Sequence, residues 1–152
     1  KAQKLGISVA NAPDYSPNAV AEHAVGLIQA INRKITLADR QLQQYDFSLS
    51  HLVGIDLIGK TVGIVGMGKI GCVIARIMRG FGCQILAVDP EENAYVKSAY
   101  DVQYTNIWNL CEQSDVIVLS VPLNAETHKL IDHEKIALMK QNAVLNKSEE
   151  KK

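Results

Sequence analysis

Six residues constrain this chain more than any others: Gly66-Met67-Gly68-Lys69-Ile70-Gly71. They stand between the apolar run Thr61-Val62-Gly63-Ile64-Val65 and a stretch over 69–81 in which Ile70, Val73, Ile74, Ile77, Met78 and Phe81 share one helical face. Glycines at that spacing between a strand and a helix specify a backbone that doubles back tightly, with no side chains in its way. The rhythm then continues. Gln84-Ile85-Leu86-Ala87-Val88 reads as a second strand, followed by a weaker helix over 93–99 and a short strand over 102–104. A helix containing Trp108 and Leu110, the strand Asp115-Val116-Ile117-Val118-Leu119, a helix over 135–139 and a strand near 143–145 complete the series. The first, second and fourth of these strands are nearly continuous apolar runs, as expected when helices cover both faces of a sheet. Strands alternating with helices through short links imply parallel pairing and right-handed crossovers. The fold class is therefore α/β, with a doubly wound parallel sheet.

Ahead of the sheet lies different material. Gly6-Ile7-Ser8-Val9-Ala10 reads as a strand running into a turn at Asn11-Ala12-Pro13-Asp14. Ser16-Pro17 is a helix start, with a hydroxyl to cap free N–H groups and a proline where no donor is needed. Val20, Ala24, Leu27, Ile28, Ile31, Ile35, Ala38 and Leu42 then form one apolar stripe, which predicts a single long helix over 17–44 of about seven turns. Such a helix reaches beyond one small sheet, towards absent chain or a partner subunit. A loop follows over 45–60. At 152 residues the chain has room for one domain, divided here into an approach segment 1–16, the long helix 17–44 and the sheet core 61–145. A polar tail over 146–152 is expected to fray.

The glycines have chemical meaning in a dinucleotide site. Gly66 permits the turn, Gly68 lets backbone approach a pyrophosphate, and Gly71 lets the helix pack against its strand. The amides and dipole at the helix start face the phosphates, which brings in Met67, Lys69 and Ile70 through their backbone. Asp89 ends the second strand, where a carboxylate accepts hydrogen bonds from both ribose hydroxyls and repels a 2′-phosphate. That pairing favours NAD over NADP and makes the fold Rossmann-type. Val121 and Pro122, after the fourth strand, fall where such sheets bind ligands and offer an apolar wall to a nicotinamide.

Other chemistries find little support. Lys+Arg and Asp+Glu both number 16, so the field that a nucleic-acid partner requires is missing. No apolar run approaches the ~20 residues of a membrane span. Cys72, Cys83 and Cys111 have no metal-ligand spacing, and their odd number and apolar contexts suit reduced thiols in the cytoplasm. His23, His51, His128 and His133 form no metal motif and have no nucleophile beside them, so no metal site is expected. The chain opens on Lys1, not Met, directly into patterned sequence, and reads as an internal piece of something longer.

Taken in order, the motifs resemble one family. Asn11-Ala12-Pro13-Asp14-Tyr15-Ser16-Pro17-Asn18-Ala19-Val20-Ala21-Glu22-His23-Ala24-Val25-Gly26-Leu27-Ile28 and Asn32-Arg33-Lys34 are similar to the stretch leading into the cofactor domain of D-isomer-specific 2-hydroxyacid dehydrogenases. Gly59-Lys60-Thr61 through Gly71, Gly80-Phe81-Gly82-Cys83, Asp89-Pro90, Ser114-Asp115-Val116-Ile117, Pro122-Leu123, Glu126-Thr127, Leu130-Ile131 and Met139-Lys140 follow in the family's order. The likeness is strongest to its D-lactate dehydrogenase branch. It implies an NAD-binding domain whose substrate domain is missing here. It also implies Val121, Pro122 and Thr127 on the nicotinamide side, Tyr15 near the substrate cleft, and a homodimer formed through the long helix.

The resemblance also implies what should be present and is not. The family's Asn-x-Ser-Arg-Gly motif, whose arginine binds the substrate's carboxylate and carbonyl, corresponds here to Asn146-Lys147-Ser148-Glu149. Hydride transfer to a 2-keto acid requires a proton donor at the new hydroxyl and a cation at the carboxylate. Neither is found, so no catalytic residue is assigned and the chain by itself is expected to be inactive. The expectation is thus an NAD-binding piece of an oxidoreductase acting on a small 2-keto or 2-hydroxy acid. The alternative is a non-enzymatic NAD-sensing or partner-binding module. A methyltransferase using S-adenosylmethionine places glycines and an acid similarly, but has no place for segment 16–27.

Overall fold

A computed structural model describes residues 2–10 and 16–147. At its centre are five parallel strands: β1 (Thr61–Val65), β2 (Gln84–Val88), β3 (Val102–Tyr104), β4 (Val116–Leu119) and β5 (Val144–Lys147). Their order across the sheet is β3-β2-β1-β4-β5. The chain runs outward from β1 to β3, then returns to the other side of β1 for β4 and β5. The order reverses between β1 and β4, which is the switch point where sheets of this kind hold ligands.

Both faces are covered, and the strand sequences follow from that. Val62, Ile64, Ile85, Ala87, Val116 and Val118 pack into one cluster beneath α1 (Pro17–Asn32) and α3 (Lys69–Gly80). Val65, Leu86 and Ile117 point the other way, against Leu110 and Cys111 of α5 (Ile107–Gln113). Alternate residues of one strand thus enter two different cores, so the run has no polar positions. The short helix α4 (Ala94–Tyr100) adds Val96 to the first core, and α6 (His133–Leu138) lies beside α5. At the amino end of the sheet the Asp115 carboxylate accepts from the Thr61 amide at 2.9 Å and from Lys140 at 3.0 Å.

Three expectations are corrected. The strand read at 6–10 does not form: a 3-10 turn over Ala2–Leu5 ends at Gly6, and Ile7 and Val9 are exposed with no strand beside them among the described residues. The helix expected over 17–44 is two helices, α1 and α2 (Ile35–Gln43). Between them Lys34 takes a left-handed conformation at φ 54°. The cause lies one residue earlier than Arg33: the Asn32 amide donates to the Ile55 carbonyl and accepts from the Ile55 N–H, both at 2.9 Å. This clip fastens the returning chain across the end of α1 and stops the helix there. Finally, Asn146 and Lys147 are not tail but the end of β5, in register with Val118 and Leu119. Backbone pairing with β4 is indifferent to their polarity.

The apolar stripe divides accordingly. Ala21, Ala24, Val25 and Ile28 are buried against Ile74, Ala75 and Met78 of α3, the alanines letting the helices approach. Leu27, Ile31, Ile35 and Leu42 remain exposed, and α2 buries none of its residues. Among the described residues no helix is long and apolar enough to cross a membrane.

Candidate functional site

Strand register assembles the site. Val65 lies opposite Val88 on one side and Leu119 on the other, so the next residues, Gly66, Asp89 and Ser120, leave the sheet at one level. The chain turns at Gly66 with φ +94°, where a β-carbon would stand 2.7 Å from both the Ser120 carbonyl oxygen and the Val121 side chain. At Gly71 a β-carbon would collide with the Gly66 carbonyl. The protein's own packing therefore requires glycine at both positions. Gly68 differs. It caps the start of α3, and a β-carbon there would meet nothing within 4 Å. The fold does not need that space, which leaves an open cradle at the helix's amino end. The amides of a first helical turn have no partners within the helix, and Gly68 has no side chain to cap them.

The Asp89 carboxylate closes one side of this cradle. One oxygen accepts from the Met67 amide at 2.6 Å and the other from the Glu91 amide at 3.0 Å. Two backbone donors fix the carboxylate's orientation and leave further lone pairs for a ligand. Ser120 secures the opposite side: its hydroxyl lies 2.6 Å from the Gly66 carbonyl and 3.2 Å from that of Val65, donating to this pair. Sequence reasoning gave Ser120 no role. Its signal was its place directly after an apolar strand at the switch point. Cys72, in the first turn of α3, donates to the Met67 carbonyl at 3.1 Å. Burial, and after it the Asp89 carboxylate, push that thiol above its ordinary range, so it stays a neutral packing group.

A second feature adjoins the bend. Past β4, Val121, Pro122 and Thr127 line a cleft of about 370 Å³ together with Leu119, Leu130, Ile131 and Leu145. The Thr127 hydroxyl donates to the Pro122 carbonyl, accepts from the Asn124 amide at 2.9 Å and so staples the loop that forms one wall. The geometry thus brings together Gly66, Met67, Gly68, Lys69, Ile70, Gly71 and Asp89 as one cluster, with Val121, Pro122 and Thr127 as a neighbouring wall. Tyr15 and Glu149 lie outside the described residues. None of the four histidines lines the cleft. Among the described residues no group of three or more His, Cys, Asp or Glu side chains could hold a metal ion.

A parallel sheet with its order reversed beside a glycine bend, and a strand-end carboxylate at the bend's mouth, define a Rossmann-type dinucleotide-binding domain. Comparison with known proteins makes this specific. The profile of the D-isomer specific 2-hydroxyacid dehydrogenase NAD-binding domain matches residues 25–147, and the chain belongs to that family. It is 42% identical to a 2-hydroxyacid dehydrogenase homolog of Haemophilus influenzae, over 95% of this chain and 43% of that protein. It is 39% identical to the D-lactate dehydrogenase of Escherichia coli, over 95% of this chain and 44% of that protein. The apo structure of the E. coli enzyme superposes with a TM-score of 0.91, covering 95% of this chain and 46% of that one. The D-lactate dehydrogenase of Aquifex aeolicus, solved with NAD and lactic acid, gives 0.85 at 34% identity, covering 95% and 44%. The chain thus spans under half the length of these relatives. The expected fold, the family and its cofactor, NAD, are borne out.

Proposed function

We propose that this chain forms the NAD site of a dehydrogenase that exchanges a hydride between the nicotinamide and a D-2-hydroxy acid of the lactate type. One observation carries the reading: the Asp89 carboxylate is held on the Met67 amide at the mouth of the 66–71 bend. Diphosphate suits the open side at Gly68, where the amides and dipole of α3 offer positive potential. The ribose hydroxyls suit the remaining lone pairs of Asp89, and a 2′-phosphate there would face a fixed negative charge, so NAD is preferred to NADP. Val121, Pro122 and Thr127 form the wall for the nicotinamide and its ribose. NAD itself supplies the hydride acceptor, while this chain's residues bind and orient it and exclude water from one face.

Reduction of a 2-keto acid also requires a proton donor and a cation for the substrate's carboxylate. The cleft's described lining holds no histidine or arginine, so we assign that chemistry to the rest of the whole protein. On its own this chain should not turn over pyruvate. The exposed apolar residues of α1 and α2 (Leu27, Ile31, Ile35 and Leu42) are the surface through which we expect two copies to pair. The three free cysteines fit a reducing cytoplasm.

Calorimetry tests the nucleotide reading. NAD should bind at least about tenfold more tightly than NADP, and Asp89→Ala should erase the difference. Equal affinities for NAD, NADP and the variant would reject the ribose assignment.

A further inference from the structure

The apolar cleft beside the glycine bend carries charge of one sign only. Its described lining is apolar apart from Thr127 and two lysines, and the only ionisable groups among its residues are Lys129 and Lys147. Neither lysine has a carboxylate partner among the described residues. Lys147 reaches the cleft because of the strand pattern: β5 continues through it in register with Leu119, so Leu145 and Lys147 face the cleft while Asn146 turns away and is buried. Lys129 lines the cleft from the chain just past the loop that Thr127 staples.

We infer that Lys129 and Lys147 make this half of the site selective for the reduced cofactor. The inference rests on the proposed placing of the nicotinamide against Val121 and Pro122. The oxidised ring carries a positive charge and the dihydro ring is neutral, whereas the adenosine and diphosphate halves are the same in both. Two ammonium groups at the rim of a cleft with apolar walls repel the oxidised ring and leave the reduced ring unaffected. Both ammonium groups are exposed, so the repulsion is modest and is screened by salt. The adenosine half contributes no discrimination, because Asp89 and the bend meet the same chemical groups in either redox state.

The test titrates the 152-residue chain with NAD+, NADH and ADP-ribose at low ionic strength. ADP-ribose reports the bend and Asp89 without a nicotinamide. NADH should bind about fivefold more tightly than NAD+, a preference equivalent to about 20 mV in the potential of the bound couple. The double variant Lys129→Gln/Lys147→Gln should bring the NADH to NAD+ ratio within about twofold, and added salt should lower it in the parent chain. ADP-ribose affinity should change little in the variant. Equal binding of NAD+ and NADH, or a ratio untouched by the double substitution, overturns the inference while ADP-ribose binding leaves the nucleotide site standing. If ADP-ribose itself does not bind, the nucleotide site and this inference fall together.

Discussion

The glycine bend and the segment over 33–58 are built on opposite principles. Around the bend every constraint is internal. Gly66 is pressed against Ser120 and Val121, Gly71 against the Gly66 carbonyl, and Asp89 is tied to Met67. In the outer segment Leu42, Tyr45, Phe47, Leu49, Val53 and Ile58 are all more than half exposed, and the segment is held by the Asn32 clip to Ile55, by Leu57, which is buried in the core and accepts from the Cys83 thiol, and by a few short turns. The same fold buries Val62, Ile64 and Ile117 completely, and a run of large apolar residues left in water marks a surface suited to association. The first region explains itself from its own chain; the second is where we propose that a second copy packs.

Substitutions can break this contrast. The largest effect is expected at Gly71→Ala, whose methyl group must displace the Gly66 carbonyl. Unfolding experiments should record a loss of about 2–3 kcal/mol, and dinucleotide binding should vanish with the bend. Gly68→Ala is the counterpart: no protein atom lies within 4 Å of the new methyl, so stability should move by less than about 1 kcal/mol. Dinucleotide affinity should nonetheless fall at least about tenfold, because backbone can no longer approach the diphosphate. If both variants lose stability equally, the cradle at Gly68 is not a ligand's space.

Next in size is the outer segment. Replacing Ile31, Ile35 and Leu42 together by glutamine should leave unfolding of the monomer within about 1 kcal/mol, as for exposed helix positions. Self-association measured by sedimentation should weaken at least about thirtyfold, or about 2 kcal/mol. A monomeric parent chain, or a triple variant that associates as before, would break the comparison from this side.

The smallest effect belongs to the far end of the sheet. Burial raises the Asp115 carboxyl, but the Thr61 amide and the Lys140 ammonium outweigh it and hold the group below its usual range. A carboxyl lowered on folding stabilises above its unfolded pKa and ceases to as pH falls through the lowered value. Asp115→Ala should therefore cost about 1 kcal/mol at neutral pH. The gap to the parent should close below about pH 4, with dinucleotide affinity unchanged throughout.

Legibility in the sequence follows the same division. Strands β1, β2 and β4 were readable because burial on both faces writes an unbroken apolar run, and the bend because its glycines and Asp89 answer to local backbone demands. The break at Lys34 was not, since it depends on Asn32 reaching Ile55 across a long loop. The isolated apolar pattern at 6–10 suggested a strand that finds no neighbour. Ser120 lay inside a segment already read as a wall, its bond to Gly66 hidden until register put the two together. Lys147 reads as tail in the sequence because its polarity, which pairing with β4 ignores, sets the boundary too early.

The central claim is most directly tested by following the backbone amide resonances of the chain during titration with ADP-ribose. The account predicts saturable shifts centred on the 66–71 bend and on residues 89–91. Saturable shifts confined to other parts of the sheet, with the bend unmoved, would contradict it.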